Sequence, residues 1–325
     1  MRAYAVRRLL LVIPTLFLVT VLVFLSVRFL PGDIVDIMQM QMERSWSKLG
    51  QKIDRAALER RLGLDVPVYV QYGRWVGGIV LRGTLGPSLM GGDTVEQSIA
   101  QRLPVTLQLG LMSVLIGLVI AVPVGIYSAI RQDTAGDYVG RSLAILGLAT
   151  PNFWLATMVI VFPAIWWRWS PPLVLVSFSE DPLGSLAGFA IPSLILGTYL
   201  SAATMRMTRT MMLEVLRQDY IRTAWSKGLR ERTVILRHAV KNTLIPVVSL
   251  VALQVPILVG GSVIIENIFN LPGLGRLLVD ALSIRDYPIV SGVNLVFATV
   301  VVAVNLVTDL SYALIDPRVR YPVGH

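Results

Sequence analysis

Residues 219–248 read DYIRTAWSKGLRERTVILRHAVKNTLIPVV, and the fold turns on that stretch. It lies in a charged segment, Arg206–Lys241, that holds nine Lys/Arg and three Asp/Glu in a chain only 15% charged. Runs with no charge flank it, Pro182–Met205 before and Asn242–Ile265 after. Each is long enough to cross a bilayer, which takes about 20 residues at about 1.5 Å rise. The charged segment is therefore a loop between two spans. Within it, Asp219–Ser226 reads as a short helix, and Gly228 supplies the positive φ that ends it. Glu231–Lys241 reads as a second helix climbing back to the membrane, with Pro246 at the start of the next span. Helix, glycine and helix make a rigid knob rather than a floppy linker. Arg230 stands where a Ser or similar cap would satisfy the second helix's free amides; Glu231 in the first turn compensates through the helix dipole. Composition alone also permits a blander reading, a solvated basic loop drawn to anionic lipid.

Outward from this loop, six stretches lack Asp, Glu, Lys and Arg over a bilayer's thickness: Leu9–Val27, Leu103–Ile130, Ser142–Trp167, Pro182–Met205, Asn242–Ile265 and Tyr287–Thr308. The chain is 54% hydrophobic, whereas soluble domains carry about 45–50% apolar and about 25% charged residues. Backbone groups in hydrocarbon must be satisfied within their own segment, so each stretch reads as a helix. A β-barrel would show segments of about 10 residues with alternating polarity, and none occurs. The expected fold class is an all-α membrane protein with six transmembrane helices and a long outer loop after the first. Leu9–Val27 is read as a retained span rather than a signal peptide. It is long, lacks a small-residue cleavage site and runs on to Phe29-Leu30-Pro31-Gly32.

The formal charge of +9 raises nucleic acid as a partner, but its distribution argues against one. Arg2, Arg7 and Arg8 precede span one, the Arg206–Lys241 loop follows span four, and Arg318 and Arg320 follow span six. With six spans these three regions share one side. The alternate loops, 168–190 and 266–288, hold one and two Lys/Arg. Positive residues stay cytoplasmic, which places both termini inside. The 72-residue loop Pro31–Arg102 holds nine Lys/Arg and eight Asp/Glu, and loops that long escape the rule. The expected divisions are an N-terminal helix over 1–30, an extracytoplasmic insertion over 31–102, and a five-helix core over 103–325 containing the loop 206–242.

In the insertion, Asp54–Leu62 reads as a short helix capped by Asp54 and ended by Gly63. Leu62–Leu89 mixes apolar, aromatic, Gly and Pro residues in runs too short to span, and predicts a small packed layer. Trp166, Trp167 and Trp169 close span three and read as interface anchors. The segment Glu266–Pro288 departs from ordinary turn chemistry. Pro272, Gly273 and Gly275 make a bend, Leu274–Leu282 reads as a short helix, and together they suit the outer mouth of a path. Asp309 lies four residues beyond Asn305 on one face of span six. Ionisable groups so placed are functional candidates, and the two readings of Asp309 are a structural pairing near the inner interface and a role in the path. The chain has no Cys, which removes thiolate metal sites and Cys nucleophiles, and its two histidines, His238 and His325, are too far apart in sequence to form a metal cluster by themselves. No Gly-x-x-x-x-Gly-Lys-Ser/Thr occurs, so no phosphate-cradling loop is present.

The central loop resembles that of the inner-membrane permeases of ABC importers, specifically the dipeptide/oligopeptide/nickel group. Their signature is EAA, three residues, then Gly. Here Arg222-Thr223-Ala224 takes the EAA positions and Gly228 the glycine. The Glu and first Ala are absent, and the spacing to Ile245-Pro246 is longer than the general consensus, both as in the peptide-group version. NLPGLGRLLVDA, RDYPIV and NLVTDLSYALIDPRVRY are similar to the same group, as are the opening RRLLLVIPTLFLVTVLVFL and LGLDVPVYVQYGRW of the outer loop. The long outer loop is similar to that of the B-type member. The resemblance implies a type I importer permease without enzymatic activity of its own. It implies a second permease, one or two ATPase subunits that carry the ATP and Mg²⁺, and an extracytoplasmic solute-binding protein, in a bacterial or archaeal cytoplasmic membrane. It also implies that Arg222–Leu229 inserts into a groove of an ATPase. In that reading Asp219 and Tyr220 open the coupling helix. Thr223 and Ala224 belong to its motif, and Arg222, Lys227 and Arg230 meet acidic groups. Trp225 buries its ring as an anchor, and Gly228 and Leu229 close the knob. Peptides are the first implied substrate; oligosaccharides and nickel complexes are the alternatives.

Two other classes stand beside this one. An ion-coupled secondary transporter would need acidic ligands near mid-membrane and repeated halves; Asp309, at the inner end of span six, is the one acidic candidate, and no repeat is evident. A scaffold or receptor would not need the bend and short helix of Glu266–Pro288.

Overall fold

The computed structural model describes residues 2–28, 55–62, 64–89, 93–171, 176 and 178–315. The caps read at Asp54 and Gly63, the exit Phe29-Leu30-Pro31-Gly32, and Arg318 and Arg320 lie outside the described residues. The described chain is nearly all helical. In order the helices are α1 (Arg2–Arg28), α2 (Arg55–Leu62), α3 (Val68–Gly77), α4 (Val95–Ile130), α5 (Ala135–Ala149), α6 (Asn152–Trp167), α7 (Pro182–Leu216), α8 (Asp219–Ser226), α9 (Glu231–Thr233), α10 (Val240–Ile268), α11 (Leu274–Ile284) and α12 (Tyr287–Ile315). Among the described residues five stretches are helices long and apolar enough to span, and α5 with α6 makes a sixth when counted as one.

That sixth corrects the sequence reading. Ser142–Trp167 was expected to be one helix, but α5 and α6 meet at 95°. Pro151 caps α6 with φ −65° and ψ 133°, and a residue before proline is pushed out of the helical region; Thr150 accordingly has ψ 119°. Two further boundaries move. α7 runs past Met205 to Leu216. The helix expected over Glu231–Lys241 is not separate from the next span: a wide π turn, Val234–Ala239, joins α9 to α10 without a break, so Pro246 lies inside a helix rather than at its start.

The chain divides into two compact units. One comprises residues 1–9, 104–276 and 303–325, the other 10–103 and 277–302. In the first, α7 is central. Two apolar helices in lipid gain nothing from hiding oil from oil, so close backbone approach has to hold them. α4 presents Ser113, Gly117, Ala121, Gly125 and Ala129 at every fourth position, one face of a helix. α7 meets that face with Gly197, Leu200 and Thr208. A Cβ on Gly197 would stand 2.7 Å from the Ser113 carbonyl oxygen, and one on Gly117 would stand 3.1 Å from that of Gly197. α5 lies on α7 through Gly140 against Met205 and Gly147 against Ala202. α10 covers another side of α7, with Leu258 and Ile265 in one core with Phe189, Ile195, Leu196 and Leu200. Gly197→Val forces a branched side chain into backbone, and overpacking of this kind costs about 1–3 kcal/mol or more. The expected outcome is a lower melting temperature in detergent and less protein in the membrane, read by thermal unfolding and quantitative blotting.

In the second unit, α3 lies along α1. Phe24 meets Tyr72 edge-on at 5.4 Å and Trp75 at 5.8 Å, and Thr20 and Tyr72 share a 2.9 Å hydrogen bond. A π turn, Gly78–Arg82, carries α3 to a left-handed Gly83. The packed layer expected over Leu62–Leu89 is thus a helix laid on the first span. Asp286 caps α12 through the Ile289 amide at 3.4 Å. The same carboxylate accepts the Ser88 hydroxyl and the Leu89 amide, the latter at 3.1 Å, which ties the insertion to the start of the last helix.

Candidate functional site: the loop between α7 and α10

The short helix α8 is held by two buried side chains. Ile221 is fully buried and Ala224 nearly so. Three apart, they face one way. They enter a socket made by Ala129 at the end of α4, Met212 in α7, and Val234 and Ala239 of the π turn. The Asn242 side-chain amide donates to the Tyr220 hydroxyl at 2.8 Å, a second tie from α8 to α10. The Thr223 hydroxyl bonds back to the Asp219 carbonyl at 3.0 Å.

The helix ends as its glycine predicts. Gly228 has φ +73°. Its amide bonds to the Trp225 carbonyl at 2.9 Å, and the Leu229 amide bonds to that of Ala224 at 3.4 Å. Those two bonds form a Schellman motif. Arg230 then starts α9 with no side-chain cap, as read from the sequence, and the Thr233 and Val234 amides bond to its carbonyl at 2.8 and 3.1 Å.

Away from the socket the helix is exposed. Tyr220, Trp225 and Leu229 each expose about two fifths of their surface. Asp219, Arg222, Thr223, Lys227, Gly228 and Arg230 are exposed as well. Arg222 and Asp219 lie 3.6 Å apart in a fully solvated pair, which contributes little. The surface is three apolar or aromatic side chains among three cations, mounted on a buried base.

Sequence reasoning missed an ion pair next to this socket, with a buried carboxylate and a partly exposed guanidinium. Asp137, fully buried at the start of α5, takes two bonds from Arg209 of α7, Nε to Oδ1 at 2.8 Å and Nη2 to Oδ2 at 2.7 Å. The Ser128 hydroxyl and the Asp133 amide complete its set. Removing the guanidinium strands the buried carboxylate, at a cost of about 3–5 kcal/mol. A usable signal was present: Asp137 lies close before one uncharged run, and Arg209 close after another.

The path residues fall in two places. Asp309 is bound to Arg8 at 2.8 Å, the structural pairing of the two readings, and Asn305 is exposed. Pro272 is exposed, while Gly273 and Gly275 pack against a side chain the sequence reading used only as a boundary. Glu266, fully buried, accepts from the Thr106 hydroxyl at 2.7 Å, the Gly275 amide at 2.7 Å and the Arg276 amide at 3.1 Å. Thr106 in turn accepts from the Leu274 amide at 2.8 Å. Glu266 and Thr106 together cap α11. Among the described residues no group of three His, Asp or Glu side chains could hold a metal ion.

These elements describe a helical membrane protein that carries one short helix on a rigid seat outside its spans. Residues 121–321 match the family of binding-protein-dependent transport system inner membrane components, and the chain belongs to that family. It is therefore an inner-membrane transport component, as the resemblance of its central loop implied. It is 39% identical over 321 residues to a Brucella abortus (strain 2308) protein named for a peptide transport system permease role, covering 99% of this chain and all of that one. It is 38% identical over 324 residues to the oligopeptide transport system permease protein AppB of Bacillus subtilis, covering 99% of this chain and all of that one. The dipeptide transport system permease protein DppB of Escherichia coli K12 is 37% identical over 344 residues, covering 99% of each chain. The crystal structure of an amino acid ABC transporter with histidines aligns over 66% of this chain and 93% of that one, with TM-score 0.49 and 14% identity, too distant to inform residue roles.

Proposed function

We propose that the chain is half of a peptide path across the inner membrane, driven by ATP hydrolysis on partner subunits through α8. A second permease completes the path, and an extracytoplasmic binding protein delivers the peptide. The single observation that carries the coupling role is the build of α8. Ile221 and Ala224 seat it, while Tyr220, Trp225 and Leu229 stand exposed among Arg222, Lys227 and Arg230. Exposed aromatic side chains with nearby cations are the make-up of an interface anchor. The peptide class rests on the names of three relatives covered over 99% of this chain. Charge supports the reading that both termini are cytoplasmic: Arg2, Arg7 and Arg8 and the Arg206–Lys241 loop are the positive regions that stay inside. The division into 1–30, 31–102 and 103–325 then assigns the insertion to the outside and the loop 206–242 to the ATPase. ATP and Mg²⁺ bind the ATPases, not this chain. The 2.8 Å pairing of Asp309 with Arg8 supports a structural role for Asp309 over ion coupling.

Purification with the neighbouring subunits tests the reading. ATP hydrolysis by the reconstituted assembly is expected to rise on adding binding protein loaded with a di- or oligopeptide. A rise with an oligosaccharide or a nickel chelate instead would reassign the substrate. Uptake that follows a proton or sodium gradient without ATP would overturn the mechanism.

A further inference from the structure

We infer that Asp137 is a positioning residue for coupling: with Arg209 and Ser128 it holds the socket in which α8 is seated. This rests on the coupling role proposed for α8. Arg209 lies one turn before Met212, and Ser128 is next to Ala129; Met212 and Ala129 both line the seat of Ile221 and Ala224. The carboxylate joins three segments at once. Arg209 grips it in a fork from α7, Ser128 donates from α4, and Asp133 donates from the turn between α4 and α5. Fork geometry fixes direction as well as distance. Arg209 and Ser128 thus lie within one turn of two of the side chains on which α8 rests, Met212 and Ala129. α5 itself lies along α7 through Gly140 and Gly147, so the carboxylate also fixes where α5 begins on α7. A pair serving stability alone has no reason to affect how α8 responds to a partner; a pair that aligns the seat does.

The test uses the reconstituted assembly with its ATPases and loaded binding protein. Asp137→Asn is expected to lower binding-protein-stimulated hydrolysis at least about fivefold, the lower end of measured couplings between sites. Hydrogen exchange of amides 219–229 in the same assembly should quicken. Because the single variant leaves Arg209 unpaired, Asp137→Asn with Arg209→Met is made beside it. Without a stranded charge, the double variant should return to parental abundance in the membrane while stimulation and amide protection stay low. Parental stimulation and protection in the double variant would overturn the proposal and leave the pair a purely structural feature. Gly228→Val separates the two layers of argument. If that variant keeps full stimulation, the coupling role of α8 fails and this inference falls with it. If it loses stimulation while the double variant keeps it, only the role of Asp137 fails.

Discussion

A Gly228→Val chain is expected to reach the membrane in normal amount and to lose most substrate-stimulated ATP hydrolysis. Gly228 has φ +73°, and a Cβ built there meets nothing within 4 Å. The cost is therefore backbone strain alone. A left-handed residue with a Cβ costs roughly 1–2 kcal/mol, more when branched. One or two kcal/mol shifts a conformational balance about five- to thirtyfold. The strain falls on the Schellman bonds of Gly228 and Leu229, which aim the exposed end of α8, and not on the spans. An ordered series follows. Asn tolerates the left-handed region, so Gly228→Asn should retain more stimulation than Gly228→Ala, and Ala more than Val. Reconstituted ATPase assays read the series. If Asn is as poor as Val, a partner surface pressed against this position explains the loss, and strain does not.

Glu266→Ala is expected to be the most destabilising single change in the segment Glu266–Pro288. It leaves the Gly275 and Arg276 amides without an acceptor in a buried place. Each stranded donor costs about 1–3 kcal/mol. It also frees Thr106, which holds the Leu274 amide. Glu266→Gln should be far milder. One amide oxygen can accept from Gly275 and Arg276, and its NH₂ group can donate to the Thr106 oxygen. Thermal unfolding in detergent, with proteolysis of segment 269–276 as the local reading, checks both variants. Equal damage by Gln and Ala would mean that the negative charge, rather than the acceptor, holds the turn.

Much of this architecture could be read from the chain before any coordinates. Lipid demands long uncharged helices, and the six stretches mark them. The helix–glycine–helix knob was legible because Gly228 is local chemistry. What escaped was direction and pairing. A count of apolar residues runs smoothly through Thr150 and Pro151, although the helix axis turns by 95° there. Cutting spans at the first charge ended α7 at Met205 and α10 at Ile265. That excluded Arg209, which pairs with the buried Asp137, and Glu266, which is itself buried and partnered. Each has a side-chain partner far off, 72 and 160 residues away, beyond any local pattern. Asp309 could be placed near the inner end of its span, but only the fold selects Arg8 as its partner.

The small-residue seam has a mechanical meaning. Where α4 and α7 touch backbone to backbone, neither can roll or slide without a collision, so the two act as one beam. α7 has 35 residues, about 50 Å of helix, and the seat of α8 is at one end of it. A rotation of about 5° at that end displaces the other by about 4 Å over this length. Motion between helices has to come from softer joints, and the bend at Pro151 and the π turn at Val234–Ala239 are where the chain departs from straight helix beside the beam. The stiffness that glycines create here, by letting helices touch, is the reverse of the looseness glycine brings to a loop.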